Sequence, residues 1–153
     1  MQMKKIEIRI GKQDVYREVA MTTSYTGAKK QGDEMAYNRI FTTDADREAL
    51  ERFWNEGCDA VTDSLKEFAV SEANTAETYI LQLDMSAAWD EVLKVGMEKS
   101  ISSFLVNYIV AKWSQWTAKD EMKEYATTAE AMLADVVSKA YYRKKPKRII
   151  PNI

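Results

Sequence analysis

The chain has 153 residues, 46% apolar and 30% charged, with 5 glycines and 2 prolines; this describes one globular domain built on helices rather than a turn-rich β-fold. It holds no histidine and one cysteine, which excludes an internal disulfide, a cysteine-rich metal site and catalytic arrangements that depend on an imidazole. Its formal charge of −2 conceals an asymmetry: residues 139–153 carry six of the 22 basic side chains and none of the 24 acids, so the rest of the chain sums to −8. An acidic body gives no reason to expect general nucleic-acid binding, whereas the basic segment alone could supply it.

The first ten residues, MQMKKIEIRI, are too short and too charged for a secretory h-region. No apolar run approaches the ~18 residues of a membrane helix. A soluble protein of a reducing cytoplasm, with no membrane partner, is the expectation. From Lys4 to Ile10 the chain alternates, with Ile6, Ile8 and Ile10 opposite Lys5, Glu7 and Arg9, the pattern of a half-buried strand. Asp14 to about Tyr25 predicts a short helix through Val15, Val19 and Ala20, stopped by Gly27 as a C-cap. Ala28 to Phe41 shows no period and reads as a loop.

A strong helix follows, over about Asp44 to Val70. Thr43 is its expected N-cap, and Asp44 and Asp46 suit the positive end of the helix dipole. Leu50, Phe53, Trp54, Cys58, Val61, Leu65 and Phe68 recur at spacings of three and four. Cys58 within this stripe reads as a buried, inert thiol. SEANTAE reads as a polar connection. TYILQLDM, Thr78–Met85, alternates again and needs a partner strand, either Lys4–Ile10 or a strand of another subunit.

Ser86 is the expected cap of a second long helix, with Asp90 and Glu91 in its first turn. Its stripe runs Trp89, Leu93, Met97, Ile101, Phe104, Leu105, Tyr108, Ile109 and Trp113, and Gly96 within it suggests a close helix crossing. The chain turns near Thr117 or Lys119–Asp120. A third helix carries Met122, Tyr125, Ala126, Ala129, Met132, Leu133, Val136, Val137, Ala140 and Tyr141, so the last two helices form a hairpin. The fold class expected is mainly α: a bundle of three long helices with a short N-terminal helix and a small two-strand β-element. Residues 1–145 form one domain and residues 146–153 an extended C-terminal arm.

Chemistry has little raw material. YTGAKKQGDE holds glycines and lysines but not the GxxxxGK(S/T) order that wraps a phosphate. Asp59, Asp63 and Glu67 stand at i, i+4 and i+8, which a solvated acidic face explains better than a paired-acid site. No catalytic residue, cofactor or metal site is expected, and the chain is not expected to be an enzyme. Trp54 and Trp89 fall on apolar stripes and read as core. Trp116, at the turn, either packs under the hairpin or anchors a partner.

The segment KAYYRKKPKRIIPNI resists a local explanation. Lys139, Arg143 and Lys144 suit the negative end of the last helix, but Pro146 ends that helix. Lys147, Arg148, Ile149, Ile150, Pro151 and Ile153 lie beyond it. Exposed isoleucines on a free arm have a use only if they dock. The partner-binding residues are therefore expected to be Arg143, Lys144, Lys145, Pro146 and those six. The alternative is a nucleic-acid-binding helical module in which the basic arm tracks phosphates with strongly salt-sensitive affinity.

An amphipathic helix, a helix ending in LVNYIVAKWSQW, a short turn and a helix closing on YYRKKP resemble the head–tail connector (adaptor, or neck) proteins of tailed bacteriophages and prophages. The resemblance covers about Thr43 to Arg148; the two strands are not part of the simplest helical adaptor pattern. It implies a non-enzymatic virion structural protein that is made in the host cytoplasm and assembles with itself as a ring on the portal. It also implies contact with other neck or tail proteins, and a channel passing DNA without sequence-specific contact. C-terminal segments of that family lie against a neighbouring subunit or the portal. An acidic body beside such a channel would let DNA slide rather than stick.

Overall fold

The computed structural model describes residues 3–29, 42 and 46–146. In chain order its elements are β1 (Lys4–Gly11), α1 (Lys12–Lys29), α2 (Arg47–Ser64), β2 (Ala69–Asn74), β3 (Thr78–Met85), α3 (Leu93–Thr117) and α4 (Lys119–Tyr141). The protein is mainly helical, with a small three-stranded antiparallel sheet in the order β1-β3-β2.

The alternating strands form as their patterns dictate. β1 pairs with β3 within the chain, in a register running from Lys4↔Met85 to Gly11↔Thr78. Tyr79, Leu81, Leu83 and Met85 all point into the core and are at most 1% exposed, each contributing about 1.5–3 kcal/mol of apolar burial. Ile8 and Ile10 of β1 join them. On the outer face Glu7 takes hydrogen bonds from Arg9 and Gln82, which hold its carboxyl below the usual carboxylate range.

The second strand was hidden by its polarity. The periodic helix expected to reach Val70 ends at Ser64, and one further turn carries Leu65 and Phe68 inward through Phe68 N–H to Leu65 O (2.9 Å). That turn preserves helical spacing, so the apolar stripe outlasts the helix. Ala69–Asn74 then pairs with β3, from Ala69↔Leu83 to Asn74↔Tyr79, with an irregularity between Ala69 and Ser71. The connection expected over SEANTAE is therefore mostly strand, closed by a tight turn in which Thr75 N–H donates to Thr78 O (2.9 Å). The sheet has three strands rather than two.

Other boundaries shift for identifiable reasons. Gly27 does not end α1, whose last turns are held from outside the helix by the Thr26 hydroxyl against Tyr125 Oη of α4 (2.8 Å). Ala28 and Lys29 are consequently helical, while residues 30–41 of the expected loop, and Thr43 and Asp44 of the expected cap, lie outside the described residues. Ser86 does not cap α3. Its Oγ accepts from Ala88 N–H (3.2 Å) in a local turn, and the helix begins at Leu93 after Asp90 Oδ1 has accepted from Val92 N–H (3.1 Å). Glu91, expected in the first turn, pairs with Lys4 across the sheet end (2.9 Å).

α3 is the central element, packed by α1, α2, α4 and β1. Met97, Ile101, Leu105 and Ile109 are fully buried along it, and Trp54 and Trp89 close the core on either side at 0% exposure. The break between α3 and α4 falls at Ala118, as the sequence indicates. Gly96 is not the tight crossing: a methyl there would stand 3.5 Å from the Lys139 side chain, ordinary contact. The close approach is at Gly57 of α2, where an added Cβ would lie 2.8 Å from Leu105 Cδ2. Among the described residues no helix is long and apolar enough to cross a membrane.

Candidate functional site

Cys58 is fully buried, and desolvation pushes its thiol above its ordinary range, so it stays protonated. Asp59, Asp63 and Glu67 are exposed, and no group of acids and cysteine among the described residues could hold a metal ion. Tyr16 Oη is buried without a hydrogen-bond partner among those residues; burial and the Glu51 carboxylate raise its pKa to about 12, leaving a neutral phenol at pH 7. Of YTGAKKQGDE, Tyr25–Lys29 belongs to α1 and the remainder lies outside the described residues.

The surface features concern contact instead. Trp116 sits at the turn end of the hairpin, 56% exposed. One face packs against Phe53 of α2 (ring centroids 5.3 Å) and its edge meets Trp113 (6.3 Å). The Arg52 guanidinium lies 5.7 Å from the Trp116 ring and 5.5 Å from that of Phe53. The indole thus packs on α2 while more than half of it stays exposed.

At the opposite end of α4 the C-terminal segment leaves from a well-defined post. Tyr141 packs edge-on against Phe68 at the foot of β2 (4.9 Å). Lys139 O accepts from the buried Trp89 Nε1–H (2.8 Å) and from Tyr142 N–H (3.3 Å), after which Tyr142 turns extended (φ −60°, ψ 138°). The Arg143 guanidinium donates to the carbonyls of Tyr141 (2.9 Å) and Tyr142 (3.3 Å), the helix-end role expected of it. Lys144 is engaged differently: its backbone N–H donates to Ala88 O (2.7 Å) and its ammonium is 3.8 Å from Asp90 Oδ1. Lys145 and Pro146 are exposed. Lys147, Arg148, Ile149, Ile150, Pro151 and Ile153 lie outside the described residues.

Lys139 is the basic residue in the last turn of α4, as expected, and it also reaches across to α3. Its ammonium donates to Asp135 and to Ser100 Oγ (3.0 Å) of α3, and Ser100 in turn donates to Asp135 Oδ2 (2.6 Å). The lysine and serine hydrogen bonds hold the Asp135 carboxyl below its usual range. This cluster fastens the last turns of α4 to α3 just before the chain departs.

The feature missed from sequence is the free edge of β2. Its residues are exposed from Val70 to Asn74, and Asp59, Asp63, Lys66 and Glu72 stand around it. Nothing in its sequence signals a hairpin: the segment lacks alternation, and the Asn-Thr-Ala-Glu after it holds no glycine. Compared with family models, with curated proteins and with solved structures, the chain matches none of them.

Proposed function

We propose that the chain is a structural subunit of a tailed-phage neck: a head–tail connector that assembles into a ring next to the portal and extends the DNA channel. Its place is then the virion, its partners further copies of itself, the portal and other neck or tail proteins, and its role non-enzymatic. The observation that carries this reading is the launching post of the C-terminal segment. Trp89, Arg143 and Lys144 fix where the chain leaves α4, so residues 146–153 begin at a constant position on every copy. Pro146 limits the freedom of the residues after it, and a segment so pre-set loses less entropy on docking. The helix order and the YYRKKP ending supply the resemblance to connectors, and the acidic body suits a wall past which DNA slides.

Two features speak against a phosphate-tracking arm: Arg143 is occupied with backbone carbonyls and Lys144 lies near Asp90. Electron microscopy of the purified full chain tests the connector reading directly, with ring-shaped particles expected and dispersed monomers opposing it. A gel shift with duplex DNA at low and high salt tests the other; strong, salt-sensitive binding that disappears when Arg143, Lys144, Lys145, Lys147 and Arg148 are neutralised would replace the connector reading.

A further inference from the structure

We infer that residues 147–153 of one copy add along the outer edge of β2 of a second copy, beside the acidic face of α2. This rests on the arm-docking reading above and assigns its receiving surface.

The two edges of the sheet are not equivalent. β1 is covered: the Arg9 backbone N–H donates to Glu98 Oε2 of α3 (3.2 Å), and α3 and α1 pack on that strand. Among the described residues β2 pairs with β3 alone; α2 packs on it, with Asn74 accepting from Trp54 Nε1–H (3.1 Å) and donating to Asn55 (3.1 Å), but Val70 is 64% exposed. An edge strand presents a row of backbone donors and acceptors that an extended chain can pair. Around it a shallow, open depression of ≈ 390 Å³ is lined by Asp59, Thr62, Asp63, Lys66, Ala69 and Glu72. Asp59, Asp63, Glu67 and Glu72 form no ion pair among the described residues. The surface therefore combines open backbone, an exposed valine and a net negative charge, with Lys66 the one cation among its lining residues.

Residues 147–153 offer the complement. Lys147 and Arg148 supply charge opposite to the acids, and the adjacent Ile149 and Ile150, which alternate faces in an added strand, place one apolar side chain on the face of Val70. Seven residues extend over about 23–25 Å, enough for the six residues of β2, about 20 Å. Pro151 lacks an N–H, which an added edge strand tolerates.

The direction of departure makes the occupant a second copy. Tyr141 lies at the foot of β2, but three residues later Lys144 is at Ala88 and Asp90. The neighbouring Trp89 carbonyl and Glu91 carboxylate receive the Lys4 ammonium of β1 (2.8 and 2.9 Å). The segment thus crosses the foot of the sheet from the β2 side toward the β1 side, away from its own β2 edge. Donor and acceptor on opposite sides of one subunit make a head-to-tail contact, the type that closes into rings.

The test uses the full chain and measures the concentration for half-assembly by light scattering. Reversing the acceptor (Asp59→Lys with Asp63→Lys) and reversing the arm (Lys147→Glu with Arg148→Glu) should each raise that concentration at least about tenfold. Both reversals in one chain should restore it to within about threefold. Hydrogen exchange should show β2 amides protected in the assembled parent and in the swapped chain, and exposed in each single reversal. Loss of assembly on deleting 146–153 with no effect of acceptor reversal would overturn this surface while leaving arm docking intact. An inert deletion would remove arm docking itself, and failure of the swap to rescue would overturn the charge pairing proposed here.

Discussion

Replacing Trp89 with Phe should destabilise the protein by about 2–3 kcal/mol. Trp89 is fully buried, and its indole N–H donates to Lys139 O at 2.8 Å. The carbonyl would not be orphaned, because Tyr142 N–H still reaches it at 3.3 Å. The hydrogen-bond part is therefore an ordinary net loss of about 1 kcal/mol rather than the full cost of a buried unsatisfied acceptor. Phenyl in place of indole also leaves part of the site empty, and such cavities add about 1–2 kcal/mol. A domain with 5–15 kcal/mol of stability survives this, so urea denaturation at pH 7 can measure the loss from the midpoint at constant m. Because Trp89 seats the end of α4, amide exchange of Tyr142 and Lys144 should quicken by more than global destabilisation accounts for. A loss below about 1 kcal/mol, with unchanged exchange at Lys144, would refute the claim that Trp89 holds the launching post.

Two further outcomes concern α2, α3 and α4. Gly57→Val should cost about 1–3 kcal/mol, since its Cβ would meet Leu105 Cδ2 at 2.8 Å and Tyr108 Cδ1 at 3.4 Å in a packed core. Gly96→Ala, with only ordinary contact at 3.5 Å, should instead stabilise by about 0.5–1 kcal/mol; thermal melts of the pair check both signs. The Asp135 carboxyl is held below its usual 3.8 by Lys139 and Ser100, so the stability it contributes is present above about pH 4 and lost as pH falls through its lowered folded value. Stability of Asp135→Asn should accordingly fall less steeply than the parent's as pH drops below about 4, as measured by urea midpoints.

The helices and two strands were legible because each repeats a period over many residues. TYILQLDM needed a partner because it could not satisfy its backbone unaided, but only the structure decides between KIEIRI and a strand of another subunit, pairing the two within the chain. β2 was not legible: AVSEAN is exposed from Val70 onward and carries no alternation, and what makes it a strand is the edge of β3 beside it. Leu65 and Phe68 pointed inward at helical spacing although the helix had ended, so periodicity overran the boundary. Gly27 looked like a stop because its role was judged locally, whereas Thr26 is held by Tyr125, 99 residues away. The basic segment stood out by composition, but the acidic face on α2 gained meaning only once it lay beside an open strand. Arg143 behaved as its position at the helix end implied, and Lys144 did not, because Ala88 and Asp90 arrive from a distant turn.

The connector reading requires that this chain assemble through residues 146–153. Multi-angle light scattering of the full chain beside residues 1–145, at matched concentration, measures it most directly. The full chain should give the mass of a closed oligomer and the shortened chain a folded monomer with an unchanged far-UV circular dichroism spectrum. Equal masses for the two would contradict the account.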